Sequence, residues 1–274
     1  MGVYEIRDRD EAVSIMVDKA NIAADTIKNN YDCCVAYYDE HLLEISIEQR
    51  RLLGEFEPAL QNDEFVMYLQ PQVKRDGAAK GAEALVRWVH PSRGILTPYA
   101  FIDILENAGL IYKLDLYIWE KAAQKLAEWK EKGYGSYHIS VNISTKDFYI
   151  IDIYETFTGL INKYGIAASN LHLEITETTL MTDFEKNMNI IHKLQDVGFR
   201  VEIDDFGSGY SSLNMLKDIS ADVLKIDMGF LRKSENEVKG QDILESIITL
   251  AGKIGMDVIT EGVAVSYTHL RAHE

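Results

Sequence analysis

The sequence predicts an α/β fold: a (β/α)8 barrel of the TIM type, truncated before its eighth strand. A small N-terminal α/β remnant and a connecting helix precede it. Three observations predict this class. Strand-like and helix-like segments alternate from Phe65 onward, the pattern of βα units and a mostly parallel sheet. Seven strands are countable in Phe65–Glu261, one short of the eight that close such a barrel. Acids or amides recur at one strand end after another, where barrels carry their functional groups. An open doubly wound sheet is the competitor. It would carry a glycine-rich phosphate turn after its first strand, and none follows Phe65–Gln70.

The elements follow in order. Gly2–Ile6 reads as a short strand, and a helix then places Val13, Met16, Val17, Ala20, Ala24 and Ile27 at helical spacing. Cys33–Tyr38 is a second short strand. From His41 to about Leu60 the apolar residues Leu42, Ile45, Leu52, Leu53, Phe56 and Leu60 share a helical face, so a connecting helix is expected, with the domain boundary inside it near Arg50. Phe65–Gln70 and Ala82–Arg87 are neighbouring strands joined by the turn Arg75–Gly81. Helices over Pro98–Ala108 and Lys113–Lys132 come next, the second ended by Gly133. The strand His138–Ile143 leads to a helix through Ile161. The strand Leu171–Thr176 leads to a helix over Asp183–Val197, stopped by Gly198. Phe199–Asp204 is a strand, with a short helix around Leu213–Lys217. Asp222–Asp227 is a strand, and a helix with Ile243, Ile247, Leu250 and Ile254 on its apolar face precedes the last strand, Asp257–Glu261.

Composition narrows the function classes. The chain has 274 residues, 47% of them hydrophobic, which supplies a sizeable core. No apolar run is long enough to span a bilayer and the start lacks a signal segment. The two cysteines, Cys33 and Cys34, are adjacent and without metal spacing, so a reduced, cytoplasmic setting is expected. The formal charge of −16 argues against a nucleic-acid polymer as partner. An acidic protein still binds an anionic ligand where metal ions neutralise a nest of carboxylates.

That nest is visible in the pattern. Glu83, Asn142, Glu174, Asp204 with Asp205, Lys225 with Asp227, and Glu261 stand at or near strand ends and would line one rim. Taken singly, each is more often a solvated strand end than a ligand. Asp204 and Asp205 are adjacent on a strand, so one must leave the regular pleat or both must share a ligand. Carboxylates converging on one mouth repel and raise one another's pKa. Divalent cations resolve that conflict, and an all-oxygen set suits Mg²⁺, Mn²⁺ or Ca²⁺.

The segment Glu83-Ala84-Leu85-Val86-Arg87 resembles the signature of the EAL-domain family of cyclic di-GMP phosphodiesterases. The resemblance extends through Tyr68–Pro71, His90-Pro91, Val141–Ser144, Leu173–Glu177, Asp204–Leu213, Leu224–Asp227 and Glu261–Val263, in matching order across roughly Glu55–Val263. It implies metal-dependent hydrolysis of cyclic di-GMP to linear 5′-pGpG by a (β/α)8 barrel with two Mg²⁺ or Mn²⁺ ions. Glu83, Asn142, Glu174 and Asp204 fall on the first metal site and Asp204, Asp205 and Glu261 on the second. Lys225, with Glu83 and Glu261, carries the catalysis, Lys225 by positioning the attacking water. Gln70, Leu85, Arg87 and Asp227 fall on substrate contacts, and Glu177 on the anchor of the Asp205–Ser212 loop. The family also implies a homodimer through this domain.

Gly2–Glu40 resembles the carboxyl-terminal end of a GGDEF (diguanylate cyclase) domain, whose signature loop is absent here. The resulting division is 1–40 as that remnant, 41–54 as linker helix, 55–263 as the phosphodiesterase domain and 264–274 as a non-native tail. Upstream sensory or GGDEF regions are expected in the parent protein, which missing upstream segments could anchor to a membrane. Ala264–Glu274 departs from the family and shows no strand alternation. The barrel is therefore expected to gape between Asp257–Glu261 and Phe65–Gln70, and the piece alone to be poorly soluble and inactive. A receptor that binds cyclic di-GMP without turnover, or an inert remnant, are the alternative readings.

Overall fold

The computed structural model describes residues 1–27, 34–74, 77–206, 219–227, 237–261 and 270–271, with backbone alone at Asp227, 237–241, Glu261 and Leu270–Arg271. Two compact units emerge, Met1–Asn62 and Asp63–Glu274.

In the first unit, strands β1 (Gly2–Val3) and β2 (Ala36–Tyr37) pair in parallel beside helix α1 (Val13–Asp25). A Cβ at Gly2 would come within 1.8 Å of Ala20 O, so only glycine lets β1 lie this close to α1. Helix α2 (Glu40–Gln61) starts at Asp39, whose carboxylate accepts from Leu42 N at 3.0 Å. The helix runs without a break to Gln61. It passes through the position near Arg50 at which the sequence places the boundary.

The second unit holds β3 (Phe65–Val73), β4 (Ala79–His90), β5 (Gly94–Leu96), α3 (Ile102–Ala108), α4 (Ile111–Glu131), β6 (His138–Ile143), α5 (Asp147–Ile150), α6 (Ile153–Tyr164), β7 (Leu171–Thr176), α7 (Glu177–Thr182), α8 (Phe184–Val197), β8 (Arg200–Phe206), β9 (Val223–Asp227), α9 (Glu237–Lys253), β10 (Asp257–Glu261) and β11 (Leu270–Arg271). The sheet order is β10-β9-β8-β7-β6-β4-β3-β11, with β5 on β4. Neighbours from β4 through β10 in that order pair in parallel, whereas β3 and β4 form an antiparallel hairpin, Gln70 opposite Glu83. Among the described residues, no helix is long and apolar enough to cross a membrane.

Alternation along the strands divides the sheet into two faces. Ile139, Val141 and Ile143, Leu171, Leu173 and Ile175, Val201 and Ile203, and Leu224 and Ile226 are buried on one face, with Leu114, Ile118, Trp119 and Leu126 of α4 and Phe157, Ile191 and Leu194 among the core residues of the helices. The alternate positions of these strands are polar apart from Val223. Four steps of pairing separate β9 from β4, about 19 Å in a flat sheet. Lys225 Nζ on β9 nevertheless lies 3.1 Å from Glu83 Oε2 on β4, so the sheet curls, polar face inward, as a barrel wall does.

Several expectations need correction. The helices expected over Pro98–Ala108 and after Ile143 are each broken, into a 3-10 turn plus α3 and into α5 plus α6. At the second break, Asp152 caps α6 by accepting from Glu155 N at 3.0 Å, which the helical pattern alone conceals. The helix expected at Asp183–Val197 is preceded by α7, and Gly198 ends α8 at φ 106°. The short helix expected at Leu213–Lys217 lies outside the described residues. The tail does contribute a strand: Leu270 and Arg271 pair antiparallel with Leu69 and Tyr68. An open edge recruits extended backbone whatever its side-chain pattern. Among the described residues β11 pairs with β3 alone, and nothing joins it to β10.

Candidate active site

Each inward strand delivers polar side chains two residues apart: His138, Ser140 and Asn142 from β6, His172 and Glu174 from β7, Glu202 and Asp204 from β8, Lys225 from β9. They form two layers. In the upper layer Lys225 Nζ lies 3.0 Å from Glu174 Oε2, 3.1 Å from Glu83 Oε2 and 3.3 Å from Asp204 Oδ1. Asn142 Nδ2 donates to Glu83 Oε1 at 3.5 Å. Five of the sequence-predicted residues thus converge, three carboxylates around one ammonium.

The crowding shows in the protonation. Burial, then the charge of Glu83, pushes the Glu174 carboxyl well above its usual range, against the pull of Lys225. Glu174 is fully buried, and its carboxyl hydrogen-bonds that of Glu202 in the layer below. Three carboxylates and one amide make a donor set of oxygens alone, which a hard divalent cation prefers, so the residues fit Mg²⁺ or Mn²⁺.

Asp205 answers the question of the paired acids by leaving the pleat. Its φ is 56°, a left-handed conformation costing about 1–3 kcal/mol, and its N–H donates to Asp204 Oδ1 at 2.9 Å. The β8–β9 register slips at this bulge, and Asp205 stands exposed. Glu261 and Asp227 are register partners at the carboxyl ends of β10 and β9, and their side chains lie outside what is described. Gln70, Leu85 and Arg87 share a face of the β3–β4 hairpin with Glu83, and β4 continues past its last pairing with β6 at Glu83↔Ser140. Arg87 Nη1 donates to Val86 O at 2.8 Å, and its guanidinium lies 5.7 Å from the centre of the Tyr68 ring. Glu177 is buried at the start of α7, and the loop it was expected to anchor lies mostly outside the described residues.

The lower layer was missed from sequence. Glu202, fully buried, accepts from His172 Nδ1 at 2.6 Å and Ser140 Oγ at 3.1 Å. Burial would raise its carboxyl, but the hydrogen bond and charge of His172 outweigh that and hold it low. His138 Nε2 donates to Gln72 Oε1 at 2.7 Å, and burial, with His172 adding, brings its pKa down to about 4. The signal was present as polar residues alternating through HISVN, HLE and RVEID. His138, His172 and Glu202 bring possible ligand atoms within 4.8 Å of one another, a group able to hold a metal ion. The two rings are stacked at 3.8 Å and 3°, so their in-plane lone pairs run parallel, and one ion reaches both only if a ring turns.

The family model of the EAL domain matches residues 54–269. MucR of Pseudomonas aeruginosa, a bifunctional diguanylate cyclase/cyclic di-GMP phosphodiesterase, is 31% identical over 242 residues, covering 88% of this chain and 35% of MucR. PdeR of Escherichia coli, a cyclic di-GMP phosphodiesterase, is 32% identical over 205 residues, covering 75% of this chain and 31% of PdeR. The solved structure of PaMucR phosphodiesterase in its c-di-GMP complex superposes with a TM-score of 0.74 at 32% identity, covering 79% of this chain and 88% of that one. The chain spans about a third of the length of these curated relatives.

Proposed function

The chain belongs to the EAL domain family, and we propose that it hydrolyses cyclic di-GMP to linear 5′-pGpG in a reaction dependent on Mg²⁺ or Mn²⁺. The observation that carries this is the gathering of Glu83, Glu174 and Asp204 on Lys225, with Asn142 against Glu83.

Glu83, Asn142, Glu174 and Asp204, with Asp205 and Glu261, are the residues that would hold the ions. When bound, such ions lower the pKa of water and neutralise the attacked phosphate. Lys225 keeps its ammonium within reach of three of those acids and so can orient the attacking oxygen by donating to one of its lone pairs. Because Lys225 and Glu174 are sealed from bulk solvent, that hydrogen bond acts in a low dielectric, where it is strong. Arg87, held at one arm by Val86 O, would present its fork to a phosphate oxygen, with Gln70 and Leu85 beside it and Asp227 across the mouth.

We further assign 1–40 to the end of a GGDEF domain, 41–54 to a linker and 55–263 to the phosphodiesterase domain, which would pair as a homodimer. The combination of a diguanylate cyclase with a cyclic di-GMP phosphodiesterase in MucR supports joining the two. Titrating cyclic di-GMP into the protein with and without Mg²⁺ or Mn²⁺, while following the linear product, tests the reading. Binding without product in the presence of either metal would make the protein a receptor instead.

A further inference from the structure

Beyond the acids themselves, one contact fixes the strand that carries Asn142. Trp119, on α4, is fully buried, and its indole Nε1 donates to the main-chain carbonyl of Asn142 at 2.9 Å. Its ring packs on Phe157, the two centroids 4.5 Å apart. The contact falls where β6 most needs it. Pairing of β6 with β4 ends at Glu83↔Ser140, two positions before Asn142, so the strand's carboxyl end has lost one of its two neighbours. Past Asn142 the chain turns, with Ser144 N donating to Asp147 Oδ2 at 2.8 Å.

From this geometry we infer that Trp119 is a positioning residue for the metal site. It acts through the backbone of Asn142, holding the amide 3.5 Å from Glu83 and in line with Glu174, its register partner on β7. The inference rests on the reading of Asn142 as a metal ligand. Groups of this kind behind a ligand typically govern affinity by about tenfold or more.

The test is Mn²⁺ affinity, measured by the electron spin resonance of free Mn²⁺ and independent of turnover. Trp119→Phe keeps an aromatic ring on Phe157 and removes the donor, together with part of the indole's buried volume, for which Phe157→Leu is the packing control. Its Mn²⁺ affinity should fall roughly tenfold. Phe157→Leu loosens the same packing and keeps the donor, and it should bind Mn²⁺ as the parent does despite a lower Tm. Equal affinity in Trp119→Phe and the parent, or losses that simply follow Tm in both variants, would overturn the inference. In the unmutated protein, the Trp119 indole N–H resonance should shift as Mg²⁺ saturates the site, which keeps the question open to measurement if Trp119→Phe does not fold. An indole signal that ignores Mg²⁺ counts against the inference. Asn142→Ala separates the two levels. If it leaves Mn²⁺ affinity intact, the ligand reading falls and takes this inference with it. If Asn142→Ala weakens binding and Trp119→Phe does not, only the role of Trp119 is wrong.

Discussion

Lys225 Nζ lies 3.0 Å from Glu174 Oε2, with side-chain exposures of 1% and 0%: an ammonium and a carboxyl sealed together inside the curled sheet. Removing one member of a buried ionic network costs about 3–5 kcal/mol because the other is left uncompensated. Lys225→Ala should therefore lower metal-free stability by about that amount, seen in urea melts with EDTA. It should abolish product formation while leaving Mn²⁺ affinity intact, since every carboxylate oxygen remains. A loss of Mn²⁺ affinity as large as in Asp204→Ala would place Lys225 among the ligands and contradict its assigned role.

The lower layer has a tight steric requirement. A Cβ at Gly81 would fall 2.5 Å from the His138 ring, and that ring is held by Gln72 and by stacking on His172. Gly81→Ala should cost about 1–3 kcal/mol by overpacking. The same substitution in a His138→Ser background should cost much less, because the ring has gone. Equal costs in both backgrounds, read from denaturant midpoints, would show that the ring yields freely.

The half-buried Asp115 on α4 and the fully buried Asp147 on α5 bring two carboxyl groups together, with Asp115 Oδ2 and Asp147 Oδ1 both withdrawn from water. Burial, then the charge and hydrogen bond of Asp147, holds the Asp115 carboxyl well above its ordinary 3.8, and burial raises Asp147 as well. Glu106 and Asp103 of α3 add negative charge to the surroundings, and Lys146 donates to the Glu106 carbonyl. A raised folded pKa means the native state binds the proton more tightly. The stability it contributes is complete below the ordinary value and drains away as pH rises through the folded one. Asp115→Asn keeps a donor for Asp147 and cannot ionise. Its Tm should exceed the parent's at neutral and alkaline pH, with the gap closing toward the ordinary aspartate range. A gap independent of pH would mean that Asp115 does not titrate in the fold.

The upper layer was legible because its acids belong to motifs and recur at strand positions that a barrel turns inward. Glu83, Asn142, Glu174, Asp204 and Lys225 meet as that pattern predicts. His138, His172 and Glu202 were not singled out, although they alternate on the same strands. An alternating strand states which residues share a face, and only the curl of the sheet decides whether that face meets solvent or another strand. The helix breaks were hidden for a related reason. α5 and α6 carry one apolar pattern, and the cap at Asp152 that separates them is a single local hydrogen bond. The strand at Leu270–Arg271 had no side-chain signal, because its pairing answers to the open backbone of β3.

Calcium should support metal binding and fail in turnover. Its larger, looser oxygen shell does not hold the compact geometry that Mg²⁺ imposes. Adding Ca²⁺ to a reaction running in Mg²⁺ should slow it, and more Mg²⁺ should restore it. Robust product formation in Ca²⁺ alone would contradict the assignment of the oxygen cluster.

The central claim is that water, at the cluster of Glu83, Glu174, Asp204 and Lys225, opens one phosphodiester of cyclic di-GMP. The most direct measurement is the reaction in ¹⁸O-water, with the linear dinucleotide analysed by mass spectrometry. The account predicts a single ¹⁸O in the terminal 5′-phosphate of pGpG, formed with Mg²⁺ or Mn²⁺ and lost in Glu174→Gln. Cyclic di-GMP that binds in the presence of Mn²⁺ and is recovered intact, or a labelled product that persists in Glu174→Gln, would contradict it.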